Sequence, residues 1–112
     1  SPPLLPPVHG ERQLARSDCW IQTQPLSRAA VIRWGSQLGP EVLRLKGELW
    51  LSEHPEGPVR LDRCGSQLDL ATTPSGPWPS TLLRRGRLVA ISRAGAPEPT
   101  WPIAHPHPSP TA

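Results

Sequence analysis

The chain has 112 residues, of which 17 are proline and nine are glycine, and its formal net charge is +3. This length corresponds to about one domain. So small a charge, spread over dispersed arginines, disfavours a nucleic-acid-binding surface, which normally concentrates its basic residues. Cys19 and Cys64 are too few for a disulfide framework, and we expect reduced, part-buried thiols in a cytoplasmic protein. No apolar run approaches the roughly 18 residues that a membrane span requires.

The prolines divide the chain into three parts. They crowd residues 2–7, 74–79 and 97–110 and leave residues 26–72 mostly free. We therefore expect a Pro-rich linker over residues 1–10, a folded domain over residues 11–95 and a Pro/His-rich disordered tail over residues 96–112. The chain starts at Ser1 and contains no methionine, which predicts a fragment of a longer polypeptide.

The first part of the predicted domain carries the weaker signals. Glu11–Arg16 allows one turn of helix, and Trp20–Thr23 predicts a short strand. Ala29–Trp34 is rich in β-branched and aromatic residues, which predicts another strand. Gly35–Pro40 contains two glycines and a proline, and we expect it to be a connection.

The strongest element spans Leu43–Ser52, where apolar and polar residues alternate strictly. Four leucines and Gly47 fall on one side, and polar side chains with Trp50 fall on the other. A period of two is typical of a half-buried antiparallel strand, whereas a helix would mix the two sets on one face. Gly47 on the apolar side indicates that another backbone or a large ring packs close to it.

Three further strands complete the predicted sheet. Glu53–Pro58 is predicted to be a turn, after which Val59–Arg63 and Gln67–Ala71 alternate and predict a meander. Thr73–Ser80 contains three prolines and is predicted to be a loop. Arg87–Ser92 is continuously apolar, which favours a central, doubly covered strand. We therefore expect an α+β, sheet-dominated fold: a small antiparallel sheet of about five strands with little helix and Pro-rich extended termini.

The sequence contains no catalytic constellation. It lacks the GxxxxGK[ST] phosphate loop, since Gly35–Pro40 has two glycines but no lysine. His54 lies beside two glutamates in a Pro-flanked segment and is predicted to be solvated. His105 and His107 are two residues apart in a polyproline-like tail, where positions i and i+2 do not share a face. Metal binding also needs three or four convergent ligands. We expect no catalytic, cofactor-binding or metal-binding residues.

Two tryptophans and nearby cations are the candidate functional residues. Trp50 lies on the polar side of its strand beside Arg44 and Lys46, and Trp78 lies in a Gly-Pro-Trp-Pro loop. Such rings either cover the second face of the sheet or act as aromatic anchors, with arginines beside them, at a protein interface. The predicted partner-binding residues are Arg44, Lys46, Trp50, Trp78, Arg84 and Arg85.

The order of these features resembles the C-terminal domain of the CobW family of metallochaperone GTPases. A first strand of that family is similar to Val31–Trp34, and its LRxKGxLWL strand is similar to Leu43–Leu51. A Gly-x-x-Leu-x-Leu segment at Gly65–Leu70, a Pro-Trp loop at Gly76–Trp78 and a strand at Arg87–Arg93 complete the resemblance. Family members usually carry a helix between the first two strands. Here only residues 35–42 remain for it, and we expect little helix.

The resemblance implies a role rather than a reaction. Members couple GTP hydrolysis to delivery of zinc or cobalt, and their phosphate loop lies in an N-terminal domain. This chain would then be a non-catalytic regulatory or client-binding domain, whose partners are the GTPase domain of the same protein and a metalloenzyme client. The alternatives are a free-standing small β adaptor that binds a protein or peptide on a sheet edge, and a weak basic nucleic-acid-binding module.

Overall fold

The described part of the chain folds into one antiparallel sheet with a single helix packed on it. The computed structural model describes residues 15–80 and 83–103. The elements, in chain order, are β1 (Arg16–Gln22), α1 (Arg28–Ser36), β2 (Val42–Leu51), β3 (His54–Cys64), β4 (Gln67–Leu70) and β5 (Gly86–Ser92). The predicted α+β, sheet-dominated fold is confirmed. The predicted linker over residues 1–10 and residues 11–14 of the predicted helical turn lie outside the described residues, and Arg16, the last residue of that turn, instead begins β1.

The strands lie in the order β1-β5-β2-β3-β4. β2, β3 and β4 form the predicted meander. β5 pairs antiparallel with both β1 and β2, so these two strands run parallel to each other on either side of it. β1, α1 and β2 therefore form a β-α-β unit that is split by β5. β5 has a neighbouring strand on each side, as predicted, but the prediction that both its faces are covered is wrong, because Arg87 is exposed and Val89 and Ile91 are only half buried on the second face.

The helix α1 occupies the segment Ala29–Trp34, which was predicted to be a strand, so that prediction is wrong. Ser27 caps the helix, because its Oγ accepts a hydrogen bond from the backbone N–H of Ala30 at 3.1 Å. The crossover helix of the CobW resemblance is thus present, although it has only nine residues. The first strand of the resemblance is β1, not Val31–Trp34.

The apolar residues of α1 explain why a helix forms there. Val31 and Gly35 are buried and Trp34 is half buried, and this spacing places all three on the side that faces the sheet. The adjacent β-branched residues Val31 and Ile32 favour a strand locally. Packing of an amphipathic face supplies most helical stability in proteins and outweighs that preference.

A register shift in β2 alters one side chain of its predicted apolar face. The pairing of β2 with β5 shifts between Val42 and Arg44. Val42 therefore turns into the core, and Leu43 is 38% exposed, contrary to the prediction for Leu43. The other three leucines of β2, namely Leu45, Leu49 and Leu51, are completely buried, as the alternation predicts.

The turn between β2 and β3 is shorter than the predicted Glu53–Pro58 turn, because β3 already begins at His54. Leu49 pairs with Val59, and Leu51 pairs with His54, so the intervening part of β3 bulges out of register. This part contains two prolines. They are tolerated because β4 pairs only with residues 61–64, so residues 55–58 have no second neighbouring strand.

The core lies between α1 and one face of the sheet, and it is formed by Leu26, Val31, Leu45, Leu49, Leu51, Val59, Leu61, Leu88 and Ala90. The segment 96–103, predicted as the start of a disordered or extended tail, runs along the same side. Trp101 stacks on Trp20 with ring centroids 6.0 Å apart. Trp34 Nε1 donates to the carbonyl of Thr100 at 2.8 Å. Residues 104–112, which include His105 and His107, lie outside the described part.

Candidate partner-binding face

The second face of the sheet carries the predicted functional residues of β2. Side chains of β1, β2, β3 and β5 that alternate with the core residues point to it. We call the following set the open face: Cys19, Ile21, Arg44, Lys46, Glu48, Arg60, Asp62, Arg87, Val89 and Ile91. No helix of the described residues packs against this set.

Opposite charges alternate across the strands of the open face. Glu48 lies between Arg60 on β3 and Arg87 on β5, and Lys46 lies opposite Asp62. Arg44 Nη2 lies 3.6 Å from Asp62 Oδ2, and both side chains are nearly half exposed. Water screens such pairs, and each contributes less than about 1 kcal/mol. The face therefore carries four cations and two anions, and the interspersed carboxylates suit a complementary, partly acidic protein surface better than a polyanion.

Towards β1 the open face becomes apolar. Ile21 is 46% exposed, and Val89 and Ile91 are half buried. Cys19 lies beside them with a free, exposed thiol, and Arg87 Nε donates a hydrogen bond to its Sγ at 3.4 Å. Cys64 is also free and exposed, so neither thiol is part-buried as predicted. Sequence reasoning missed this apolar strip because the continuous apolar run of β5 does not show which residues face which side.

Trp50 lies at the end of β2 and is half buried. The guanidinium carbon of Arg84 lies 6.0 Å from the centroid of the indole ring, within the range of a cation–π interaction. The backbone N–H of Trp50 donates to Gln22 Oε1 at 2.7 Å, and its carbonyl accepts from Gln22 Nε2 at 2.8 Å. The buried amide of Gln22 thus takes the place of a neighbouring strand and fixes the position of Trp50.

Trp78 has a different environment. It is only 9% exposed, and its Nε1 donates to the carbonyl of Pro55 at 3.0 Å. In the same loop, Ser75 N donates to the carbonyl of Pro58 at 3.0 Å, and Ser75 Oγ donates to Glu48 Oε2 at 2.9 Å. These hydrogen bonds therefore hold the Pro-rich loop, residues 73–80, against the bulged part of β3. This placement favours a covering role for the ring over an anchoring role.

The structure brings together only some of the predicted site residues. Arg44 and Lys46 share the open face, and Arg84 contacts Trp50 at its end. Arg85 is exposed and forms no hydrogen bond or ion pair with the described residues, and Trp78 is enclosed by the loop. The partner-binding role of all six residues stays a prediction.

The described residues contain no group of three His, Cys, Asp or Glu side chains that converge on one point. His54 Nδ1 lies 3.1 Å from Glu56 Oε2. Hydrogen bonds from the backbone of Glu56 and from His54 hold the pKa of this exposed carboxyl below its usual value. Within the described ranges no helix has the length and apolar character of a membrane span.

Three comparisons relate this fold to known proteins. A sequence profile described as "Cobalamin synthesis protein cobW C-terminal domain" matches residues 15–99. No curated protein sequence matches significantly. The structure is similar to the Zn(II)-bound YjiA GTPase from E. coli, with a TM-score of 0.59 and 16% identity over 82% of this chain and 29% of that chain. It is also similar to a Zn(II)-bound triple mutant of YjiA GTPase, with a TM-score of 0.54 and the same identity and coverage. At this identity the likeness shows the fold.

Proposed function

This chain belongs to the CobW C-terminal domain family, and we propose that it is a non-catalytic regulatory or client-binding domain of a GTP-dependent zinc or cobalt chaperone. In this proposal, GTP hydrolysis takes place in an N-terminal GTPase domain of the same protein. The chain spans 29% of the length of the Zn(II)-bound YjiA GTPase that it resembles, which supports a separate location for the nucleotide. The exposed thiols of Cys19 and Cys64 support a cytoplasmic setting, where thiols stay reduced.

The open face is the observation that carries the proposal. It combines an apolar strip near β1 with charges of both signs, mostly positive, on β2 and β3. At its end lies the indole of Trp50 with Arg84 beside it. Protein interfaces are enriched in tryptophan and arginine and surround an apolar centre with polar groups. The two hydrogen bonds between the Gln22 amide and the backbone of Trp50 fix the main chain at this end of β2 before binding, so little backbone entropy is lost there when a partner packs against it.

Thermodynamic linkage between binding of this domain and binding of nucleotide would give the domain a regulatory role. Suppose that this domain binds the GTP-bound form of the GTPase domain more tightly than the GDP-bound form. Its binding then shifts the equilibrium between the two forms towards the GTP-bound form by the ratio of the two affinities. By reciprocity, the nucleotide then changes the affinity of this domain for the GTPase domain by the same factor. No residue of this chain needs to touch the nucleotide.

A charge reversal on the open face tests the proposal. Calorimetry would measure the Kd between this chain and the GTPase domain of the same protein, with GTP or GDP present. Lys46→Glu replaces an exposed cation at the centre of the face, and we expect it to raise the Kd about tenfold, or by about 1.4 kcal/mol. Arg33→Glu, on the exposed side of α1, is the matched control and should bind like the unmodified chain. Equal Kd values for the two variants would contradict the proposal.

The edge of the sheet supports a second candidate, a β adaptor for an extended peptide. β1 pairs only with β5, so the other edge of this seven-residue strand has no partner among the described residues. Such an edge can accept a further strand. Changes confined to the backbone amides of β1 on addition of a peptide would favour this candidate over the open face.

The third candidate, a nucleic-acid module, has weaker support. The basic side chains of the open face alternate with Glu48 and Asp62, which would repel phosphates. Only Trp50 carries a cation against its ring among the described aromatic residues, whereas single-strand binders stack successive bases on several rings.

A further inference from the structure

A cavity of about 300 Å³ lies where the connection after α1 meets the ends of β2 and β3, on the other side of the sheet from the open face. Its walls are mostly apolar and include Leu38, Pro40, Val42 and Leu43. Leu43 reaches the rim because the register shift in β2 turns it outward. Arg63 and the turn that contains Gly65 form the polar side of the cavity.

Arg63 is a buried cation without a counter-ion. It is 4% exposed, and it forms no ion pair with any described residue. Its Nη1 donates to the carbonyl of Val42 at 3.1 Å, and its Nη2 donates to the carbonyl of Leu38 at 2.9 Å. A guanidinium has five N–H donors, and carbonyl oxygens carry only partial negative charge. Because an uncompensated buried charge costs several kcal/mol, an anion that reached Arg63 would be stabilised there.

The single cation and the aliphatic lining of the cavity suit carboxylates better than phosphates. A guanidinium binds carboxylates and phosphates well. A phosphate is strongly hydrated and doubly charged, and this cavity offers it one cation and several aliphatic walls. A carboxylate on a branched hydrocarbon satisfies both parts of the site. The volume is at the lower end of the range for ligand pockets, which suits a group of leucine size.

We propose that this cavity binds a branched aliphatic carboxylate, with the carboxylate at Arg63 and the hydrocarbon against Leu38, Val42 and Leu43. This site is separate from the open face, and the proposal does not depend on the function proposed above. A free short-chain acid and the terminal leucine of a polypeptide share this chemistry. Two probes distinguish these sources: 4-methylpentanoate and the peptide acetyl-Gly-Gly-Leu.

The test is a titration of the 15N-labelled chain, followed by amide chemical shifts in a chloride buffer. Each probe is paired with its neutral carboxamide, which has the same shape. We expect saturable shifts at Leu38, Leu43 and Gly65 with at least one carboxylate, and about tenfold weaker binding of its carboxamide. The tighter of the two carboxylates identifies the source. Equal binding of acid and amide, no saturable shift with either acid, or shifts confined to the open face would overturn the proposal.

A pair of variants tests the location independently. Leu43→Glu places a negative charge at the rim of the cavity, and Ile32→Glu places one on α1 at a residue that is similarly exposed, at 42% against 38% for Leu43. We expect Leu43→Glu to abolish binding of the acid and Ile32→Glu to leave its Kd unchanged. Retained binding in Leu43→Glu would overturn the proposal. If this variant unfolds, the comparison of acid with amide on the unmodified chain still decides.

Discussion

At Gly47 two strands approach so closely that no side chain fits. Gly47 pairs with Leu88 of β5, and a Cβ atom at this position would overlap the carbonyl oxygen of Arg87. The sequence predicted that another backbone or a ring packs against this glycine, and the backbone of β5 does so. The glycine is therefore required by its backbone conformation, because its φ of 158° turns the Cβ position towards the backbone of β5.

Substitution of this glycine should weaken the sheet at its centre. Gly47→Ala forces β2 and β5 apart or distorts their hydrogen bonds, and we expect a loss of about 1–3 kcal/mol in the free energy of unfolding. Gly76→Ala is the control, because a Cβ there would meet no atom within 4 Å; its effect should stay within about 0.5 kcal/mol. Urea denaturation measures both values. Similar stabilities for the two variants would refute the packing argument.

Gln22 shows what the sequence could not reveal at the residue scale. Its amide is buried and makes three hydrogen bonds, two to the backbone of Trp50 and one to the carbonyl of Gln24. The space for this amide exists because Gly86 has no side chain where β5 begins. The role of Gln22 thus depends on a strand that lies more than 60 residues later in the chain, and no local pattern encodes it.

At the scale of the elements, the leucines of β2 differ in burial, and this difference predicts how much each one stabilises the fold. Leu49 is completely buried on the core face, whereas Leu43 on the same strand is 38% exposed. Leu49→Ala should lower the free energy of unfolding by about 2–5 kcal/mol, because it leaves a cavity in the core. Leu43→Ala should cost about 0.5 kcal/mol or less. A loss of less than about 0.5 kcal/mol for Leu49→Ala in thermal or urea unfolding would show that this face is not the core.

The strands were predictable where alternation and burial coincide. β2, β4 and the part of β3 from Val59 onward largely follow a period of two, so their existence and most of their inward-facing residues could be read directly; the register shift at Val42 and Leu43 could not. α1 could not, since its three core contacts come from Val31, Trp34 and Gly35, and the first two also favour a strand. The cap at Ser27 is a local sign of a helix, but the packing of α1 against the sheet is needed to outweigh the strand preference.

The residues of the candidate site on β2 could be predicted from the sequence, whereas their neighbours on other strands could not. The polar side of β2 correctly located Arg44, Lys46 and Trp50 on one face. Their neighbours Arg87 and Cys19 come from β5 and β1, and the sheet order that places them there depends on long-range pairing. Trp78 lies in a loop with no period, so its enclosure against β3 needed the structure.

At the scale of the whole molecule, the described residues cover only one face of the sheet. α1 and the segment that carries Trp101 pack on the core face. Among the described residues, only the Pro-rich loop and Arg84 lie near the open face. The loop forms hydrogen bonds with Glu48 and Pro58, and Arg84 contacts Trp50. A small domain of this kind gains stability when a partner binds its exposed side. The core face therefore stabilises the fold, and we propose that the open face binds the partner.

The most direct test of this division is a map of amide and indole chemical shifts when the GTPase domain of the same protein is added to the 15N-labelled chain. We predict that the changes centre on Lys46, Glu48 and the indole N–H of Trp50, and that the exposed side of α1 at Ile32 and Arg33 stays unchanged. Changes on α1 with an unaffected open face would contradict the account.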